Sequence, residues 1–338
     1  MKKSIFLILS MALSIATFAQ QLATLNHNGT TTVYYGMNAL QQAHTAAVNG
    51  DIITLSSGIF NAVNITKAVS IRGAGAWVDT SGNSNTVLYN DFTLNVQNDT
   101  LYHLTLEGLY FTNTVRYNTV YNPQFNKCHF TQFISGDGTV GSMHNATVIN
   151  CIIENWSNYG TNNNGWAAQG SQFYNSVLLD GGDFGPDSFV NCIIRQHPQT
   201  SYITGRLFQN CILYGNYSYL SQYMSGNGNT SFNCMYVNVS SDNLYSDTPN
   251  HILWNRSGLS TIFNNFNGTY TSTTTFELQD SIATNYLGVD GTQIGIYGGL
   301  HPFSPKITSP VIRSINVAQR NNSEGKLEVN IEMIAEDE

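Results

Sequence analysis

Three carboxylates stand close together in one stretch of the chain, at Asp180, Asp183 and Asp187. Clustered carboxylate oxygens are the ligands that Ca²⁺ prefers in proteins. Arg195 and Arg206 follow on the next stretches, and in an eliminating polysaccharide lyase an arginine can act as the base while a cation stabilises the enolate. A pair of these aspartates could instead hydrolyse a glycoside. The simplest interpretation is a polar turn, because Asp and Gly suit tight bends.

Aromatic residues occupy the same irregular stretches and indicate a ligand rather than a reaction. Aromatic faces pack against the apolar faces of sugar rings, while Asn and Asp bind the hydroxyl groups. We therefore predict a neutral glycan or polysaccharide as the partner. Binding is favoured over cleavage, and we expect no cofactor, with Ca²⁺ needed only by a lyase. The candidate ligand-binding residues are Trp156, Tyr159, Trp166, Tyr202 and Tyr217.

A short phrase repeats along the stretch that carries these residues. It consists of Asn-Cys followed by apolar residues, with 16 to 25 residues between successive copies. A self-similar unit of roughly 20 residues is typical of a solenoid, in which each turn buries its apolar side against its neighbours. The L-x-x-L-x-L pattern of leucine-rich repeats and the hexapeptide period of left-handed β-helices are both missing. With the Cys or its equivalent as marker, the copies stand at Leu109, Cys128, Cys151, Ser176, Cys192, Cys211 and Cys234.

The repeat predicts which side chains point inward, because alternate strand positions face the same way. We expect the residues three before and two after each marker to fill the interior. Gly, Lys or Asn comes directly before each marker, which predicts a tight bend with positive φ. Stacked asparagines at this bend are expected to bond one another as a ladder. The bend residues are Gly108, Lys127, Asn150, Asn175, Asn191, Asn210 and Asn233.

The residue after each marker should point outward, yet most of these residues are apolar. An exposed row of such side chains is costly unless something covers it. Either the chain's own loops or tail cover the row, or it forms a surface for a protein partner or an oligomer. The apolar members of this outward column are Ile152, Val177, Ile193, Ile212 and Met235, which follow Tyr110 and His129.

The beginning of the chain resembles a known family. Residues 38–48 form the best helical segment, which Asn38 can cap and Asn49-Gly50 can end. The strings NGDIITLSSGIF (49–60) and VSIRGAG (69–75) then resemble the start of the pectin-lyase-like right-handed parallel β-helix family. The resemblance implies a single-stranded right-handed parallel β-helix with an N-terminal capping helix. It implies no particular activity, because that fold hosts lyases, hydrolases, binding proteins and adhesins, and the catalytic motifs of its lyases and polygalacturonases are missing.

The two ends of the chain predict export and a terminal cap. Residues 1–19 have the charged start, apolar centre and small-residue end of a secretory signal peptide. We expect a strand or cap segment over 20–37, the β-helix over 38–299 and a tail over 300–338, with a β-hairpin formed by residues 311–317 and 326–334. Residues 290–299 look like the closing coil of secreted bacterial β-helix proteins. The predicted location is therefore outside the cell, in the periplasm or at the cell surface.

Composition removes several classes of function. The 338 residues carry a net charge of −8, and the 11 Lys and Arg that follow the predicted signal peptide are scattered singly, whereas phosphate binding needs clustered cations. Nucleic acid is therefore an improbable partner, and the chain shows no apolar run of membrane-spanning length after the signal. All five Cys lie in the repeat without zinc spacing, which favours a buried file over disulfides or a metal site. Besides glycan binding, a lyase or hydrolase and a structural or adhesive surface protein remain as alternatives.

Overall fold

Two long sheets, mostly parallel, dominate the computed structural model of the chain. The structure describes residues 21–77, 85–135, 142–157, 168, 170–181, 187–196, 205–215, 230–237, 253–256, 258–305, 311–317, 326 and 329–334. Two short helices, α1 at Ala39–Ala46 and α2 at Asp280–Asn285, and a 3₁₀ turn at Leu259–Thr261 accompany the strands. The chain is thus an all-β protein with a parallel architecture.

The strands are short, as expected for a chain that turns every few residues. Those before residue 122 are β1 Leu22–His27, β2 Thr30–Tyr35, β3 Ile52–Leu55, β4 Gly58–Asn61, β5 Asn64–Ile65, β6 Ser70–Arg72, β7 Thr86–Tyr89, β8 Phe92–Val96, β9 Thr105–Glu107 and β10 Tyr110–Tyr121. The middle ones are β11 Gln124–Asn126, β12 His129–Ser135, β13 Ser142–His144, β14 Thr147–Ile149, β15 Ile152–Ile153, β16 Trp156–Ser157, β17 Gln172–Tyr174, β18 Val177–Gly181 and β19 Ser188–Val190. The last are β20 Ile193–Gln196, β21 Leu207–Gln209, β22 Ile212–Gly215, β23 Thr230–Phe232, β24 Cys234–Val237, β25 Leu253–Arg256, β26 Val311–Val317 and β27 Val329–Ile334.

The chain passes from one sheet to the other and back in every repeat. The first sheet has the order β2-β1-β3-β6-β9-β11-β14-β17-β19-β21-β23. The main path of the second sheet is β25-β24-β22-β20-β18-β15-β12-β10-β7-β4. β1 runs antiparallel to both of its neighbours, and the other paired strands of these two sheets are parallel. Equivalent residues of successive repeats are therefore direct neighbours across a ladder.

The predicted inward columns are confirmed. All of these side chains are buried and belong to one hydrophobic core. Their rings pack along the columns, with Phe189 stacked on Phe208 at 5.3 Å and Phe111 on Phe130 at 4.8 Å. The columns are Leu106, Phe125, Val148, Phe173, Phe189 and Phe208, and Phe111, Phe130, Ile153, Leu178, Ile194, Leu213 and Tyr236.

The five cysteines are free, buried thiols within this core, as the repeat predicted. The backbone N–H of Cys192 points at the sulfur of Cys211 at 3.5 Å, and that of Cys211 at the sulfur of Cys234 at 3.4 Å. Burial raises the pKa of the Cys128 and Cys192 thiols well above its usual value. A buried neutral thiol is a poor nucleophile, so these residues fill space rather than react.

Every predicted bend residue has positive φ, between 46° and 63°. The predicted asparagine ladder is wrong except at one step, where Asn210 Nδ2 donates to Asn191 Oδ1 at 3.3 Å. Most of the amides turn outward and donate to backbone carbonyls of a later part of the chain. Asn175 Nδ2, for example, bonds the carbonyls of Ile296 (2.8 Å) and Gly298 (2.6 Å). A backbone carbonyl can accept two hydrogen bonds, so carbonyls of the later segment can serve these amides as acceptors even where they already accept a backbone N–H, as Ile296 does from Phe303.

The later part, residues 258–305, forms the covering segment of the second sheet. Its apolar side chains, among them Ile262, Phe266, Phe276 and Ile294, form a second core on the outer face of that sheet. The outward column lies beneath it, and each member is at most 2% exposed: Ile152, Val177, Ile193, Ile212 and Met235. The interpretation of these five residues as a partner or oligomer surface is therefore wrong, because the chain covers them itself.

Helix α1 lies at the beginning of the sheets and is held at both ends by neighbouring residues. The prediction that Asn38 caps it is wrong within the described chain, because Asn38 Oδ1 accepts a bond from Asn61 Nδ2 at 2.7 Å. At the other end, Lys67 Nζ donates to the carbonyls of His44, Thr45 and Ala47 at 2.7–2.8 Å. A cation at a helix C-terminus satisfies carbonyls that have no partner within the helix.

The predicted hairpin of the tail is confirmed. β26 pairs antiparallel with β27 along its length. Its role as a terminal cap stays a prediction, as do the domain boundaries. The predicted signal peptide lies outside the described residues.

Candidate functional site

The structure moves one predicted ligand-binding residue into the core. Trp156 is 1% exposed and packs edge-on against Phe133 at 5.5 Å and beside Phe173 at 5.2 Å. It opposes Phe133 in the ladder between β12 and β16, and Phe133 points inward. The prediction that Trp156 binds a ligand is therefore wrong, because the residue belongs to a strand rather than to a loop. Tyr159, Trp166, Tyr202, Tyr217 and the candidate Asp183 lie outside the described residues.

Asp187 and Arg206 form an ion pair that joins two neighbouring repeats. Arg206 Nη1 donates to Asp187 Oδ1 at 2.5 Å, with the aspartate side chain half exposed and the arginine largely covered. Just beyond them, Ser188 opposes Leu207 in the first sheet. A guanidinium held by a carboxylate stays protonated, so this arginine is poorly suited to the role of a catalytic base.

Asp180 and Arg195 lie in β18 and β20, which are paired strands of the second sheet, and Tyr214 lies in the next strand, β22. Arg195 opposes Tyr214 in the ladder between β20 and β22. Tyr214 is 4% exposed, and its hydroxyl has no hydrogen-bond partner in the described part of the chain. Burial raises the pKa of Tyr214; the charge of Arg195 opposes this rise and that of Asp180 adds to it. Two of the five predicted catalytic candidates are thus neighbours.

A metal site is not assembled by the described residues. Among them, no group of three His, Cys, Asp or Glu side chains gathers as ligands would. Asp180 lies within β18 of the second sheet, whereas Asp187 directly precedes β19 of the first, so the two carboxylates belong to different elements. The calcium alternative stays a prediction that depends on Asp183.

A cluster of aromatic, imidazole and carboxylate side chains lies on the second sheet, and the sequence did not predict it. Trp77, Tyr110, His129, Glu154 and Tyr270 form what we call the His129 cluster. Tyr110 stacks on the imidazole at 4.5 Å, Trp77 lies parallel to it at 6.2 Å, and Tyr270 meets it edge-on at 5.6 Å. His129 itself is buried, whereas Trp77, Tyr110 and Tyr270 are partly exposed. An imidazole is thereby enclosed by three aromatic rings whose outer edges meet solvent.

A carboxylate and a phenol complete the His129 cluster. His129 Nε2 lies 2.7 Å from Glu154 Oε1, and about a third of the Glu154 side chain is exposed. Burial raises the pKa of Tyr270 to about 12; a hydrogen bond from the Trp77 side chain opposes this rise, and Glu154 and Tyr110 add to it. The phenol therefore stays a neutral donor at physiological pH, beside the Glu154 side chain. A ligand with hydroxyl groups would find a hydrogen-bond donor in Tyr270 and an acceptor in Glu154.

Two sheet strands and two distant segments build this cluster. Tyr110 and His129 open β10 and β12 and oppose each other in the ladder. Glu154 follows β15, Trp77 lies on the connection after β6, and Tyr270 belongs to the covering segment. The outward column at Tyr110 and His129 was visible in the sequence. No local pattern links these positions to Trp77 or Tyr270.

The His129 cluster and Arg195 share one face. Glu154, Leu179, Arg195 and Tyr214 follow the inward residues Ile153, Leu178, Ile194 and Leu213, which oppose one another in the ladder. Glu154 and Arg195 are thus two repeats apart, or about 10 Å at the spacing of parallel strands. Leu179 and Tyr214 are buried in the second core, whereas Glu154 and Arg195 reach solvent beside it. We call the solvent-accessible polar residues from the His129 cluster to Arg195 the outer polar face.

Comparisons with protein-family models, with curated proteins and with solved structures found no match to this chain. In the residues that the structure describes, no helix has the length and apolar character needed to cross a membrane. The function must therefore be argued from the outer polar face itself.

Proposed function

We propose that this chain is an exported protein that binds a glycan on its outer polar face without cleaving it. The observation that carries the proposal is the His129 cluster, in which the partly exposed rings of Trp77, Tyr110 and Tyr270 surround the His129–Glu154 pair. Ring faces and edges of this kind bind the apolar sides of sugars, while carboxylate, imidazole and phenol groups bind hydroxyls. The ligand is a polysaccharide or an oligosaccharide.

The charge of the chain supports a largely neutral ligand. With a net charge of −8, the protein repels polyanions at long range. The arginines Arg72, Arg116 and Arg206 are each within 4 Å of a carboxylate of the same chain, which lowers their capacity to hold an anion. Nucleic acid and strongly anionic polysaccharides are therefore poor partners.

We further propose that the two sheets are two faces of a right-handed parallel β-helix. The regular passage of the chain between the sheets and the positive-φ bend in every repeat support this arrangement. Such a stacked framework holds Tyr110, His129 and Glu154 at fixed spacing along one face. A rigid row of side chains suits an extended polymer better than a small ligand.

A lyase or hydrolase is the second candidate. The observation that favours it is the contact between His129 and Glu154, beside the neutral Tyr270 hydroxyl, since such groups can accept and donate protons. This alternative shares the ligand and the site with the binding proposal, and it differs in predicting product.

A glycan array, followed by analysis of each bound glycan for product, tests the proposal. We expect the purified protein to bind a subset of glycans, a Trp77→Ala variant to lose most of that signal, and the glycans to stay intact. New unsaturated sugar ends would show a lyase, and new reducing ends a hydrolase. A wild-type protein that binds no glycan would contradict the proposal and favour the structural or adhesive alternative.

A further inference from the structure

The first sheet begins with a strand whose outer edge is open. β2 is the last strand of that sheet in the described chain, and it pairs with β1 alone. The hairpin loop between the two strands contains only Asn28 and Gly29, both with positive φ (49° and 80°). In such two-residue loops the flanking pair, here His27 and Thr30, exchanges hydrogen bonds.

The loop fixes which backbone groups face outward. Hydrogen-bonded and non-bonded pairs alternate along an antiparallel ladder. Thr30, Thr32 and Tyr34 therefore bond β1, while Thr31, Val33 and Tyr35 direct their N–H and C=O groups to the open edge. Val33 and Tyr35 are also 40% and 57% exposed.

This edge lacks the features with which proteins protect an edge strand. Charged side chains, proline and bulges normally block pairing there. β2 has the sequence TTTVYY, and its register with β1 is continuous. Between residues 21 and 66 the only charged side chain is Asp51, which is buried. Met37 and Ile59, which follow in the same region, are exposed as well.

We propose that β2 pairs antiparallel with β2 of a second copy of this chain, so that the first sheets of two molecules join. The pairing is independent of glycan binding. The strand is complementary to itself about Val33: if Val33 faces Val33 of the second copy, Thr31 faces Tyr35 on either side. In this register the outward N–H and C=O groups of Thr31, Val33 and Tyr35 form hydrogen bonds with the same residues of the second copy. It also places Thr31 opposite Tyr35 twice, and such a pair of a β-branched and an aromatic side chain is favourable. An uncharged strand can face its own copy without repulsion, which makes a second copy the best-matched occupant.

Sedimentation velocity of the exported, purified protein over a range of concentrations tests the proposal. We expect a reversible monomer–dimer equilibrium. Val33→Lys places two lysines opposite each other and should weaken the dimer about tenfold or more. Val33→Pro removes an N–H that faces the open edge, so it should weaken the dimer as well. The monomer should still fold, because proline is tolerated on an edge strand whose N–H side faces solvent.

The matched control is Val289→Lys, at a valine that is 52% exposed on the covering segment. It should leave the equilibrium unchanged. Thermal melting verifies that each variant is folded. If Val33→Pro does not fold, Tyr35→Lys replaces it as the second variant of the open edge. A wild-type protein that stays monomeric up to its solubility limit would overturn the proposal. A dimer that persists in the folded Val33→Lys variant would do so too, because another surface would then form it.

Discussion

Burial, together with the neighbours Thr66 and Lys67, disfavours protonation of His44. The backbone N–H of Thr66 lies 3.3 Å from His44 Nε2, which must then be an unprotonated acceptor. Burial, with a smaller contribution from the Lys67 charge, lowers the pKa of His44 from 6.5 to about 4. At pH values between about 4 and 6.5, His44 therefore binds a proton in the unfolded chain but not in the folded chain.

We therefore expect the stability of the protein to fall as the pH drops from about 6.5 to about 4. A His44→Gln variant keeps a possible acceptor but cannot titrate, so its stability should depend less on pH in this window. Urea unfolding at pH 7, 5.5 and 4.5 measures the difference. Identical pH profiles for the two proteins would show that His44 is already protonated in the folded state or that its charge is tolerated.

Asn175 combines two roles that substitution can separate. It adopts φ of 46°, and its amide bonds two carbonyls of the covering segment. Asn175→Gly keeps the backbone conformation and removes the bonds, so we expect a loss of about 1–3 kcal/mol in the free energy of unfolding. Asn175→Ala should lose more, because alanine also disfavours positive φ.

Asn90→Gly is the control for Asn175, since Asn90 also has positive φ (76°) but is exposed. Its stability should stay within about 0.5 kcal/mol of the wild type. Urea unfolding measures all three variants. If Asn175→Gly is as stable as Asn90→Gly, the amide bonds do not hold the covering segment.

At the scale of elements, the covering segment is a structural layer rather than a loose loop. Phe266 packs against Tyr214 at 5.6 Å, Phe263 at 5.4 Å and Phe276 at 4.9 Å. We expect Phe266→Ala to lower the free energy of unfolding by about 3–5 kcal/mol, because it leaves a cavity above the outward column. Leu300→Ala, at a leucine that is 88% exposed, should cost less than about 0.5 kcal/mol in the same urea experiment. Equal, small effects would mean that the layer contributes little to stability.

The sequence predicts an element well where the information is local or periodic. Cys192 and Phe189 are correctly assigned to the interior because strand alternation and the repeat agree on their direction. Asn175 is correctly assigned to a positive-φ bend, since Asn and Gly tolerate that backbone. The acceptors of its amide could not be predicted, because Ile296 lies 121 residues away and offers only a backbone carbonyl.

The errors of the sequence reading have the same physical origin. Trp156 looked like a loop aromatic, but pairing with β12 and β18 turns it into the core. For the outward column the sequence left two alternatives, and the one in which the chain covers it is correct; the covering segment could not be named because it lacks the repeat. The sequence places His129 in the outward column without a partner, and only the folded chain brings it to Trp77 and Tyr270. Each outcome depends on contacts between distant parts of the chain, which no local pattern encodes.

At the scale of the whole molecule, the proposed functions occupy different regions. The outer polar face lies on the second sheet, and the open edge of β2 lies at the beginning of the first. A dimer formed through β2 would leave the His129 cluster of each copy free, so one assembly would carry two glycan sites. Two sites on one polymer raise the apparent affinity beyond that of a single site.

Titration of a glycan found on the array tests the central claim most directly, in wild-type protein and in two tyrosine variants. Tyr110 stacks on His129 within the cluster, whereas Tyr89 is 51% exposed and lies in β7, a strand that pairs with β10 in the same sheet. The account predicts that Tyr110→Ala binds about tenfold or more weakly, which corresponds to about 1.4 kcal/mol, and that Tyr89→Ala binds like the wild type. Equal affinities for all three folded proteins would contradict the assignment of the glycan to the His129 cluster.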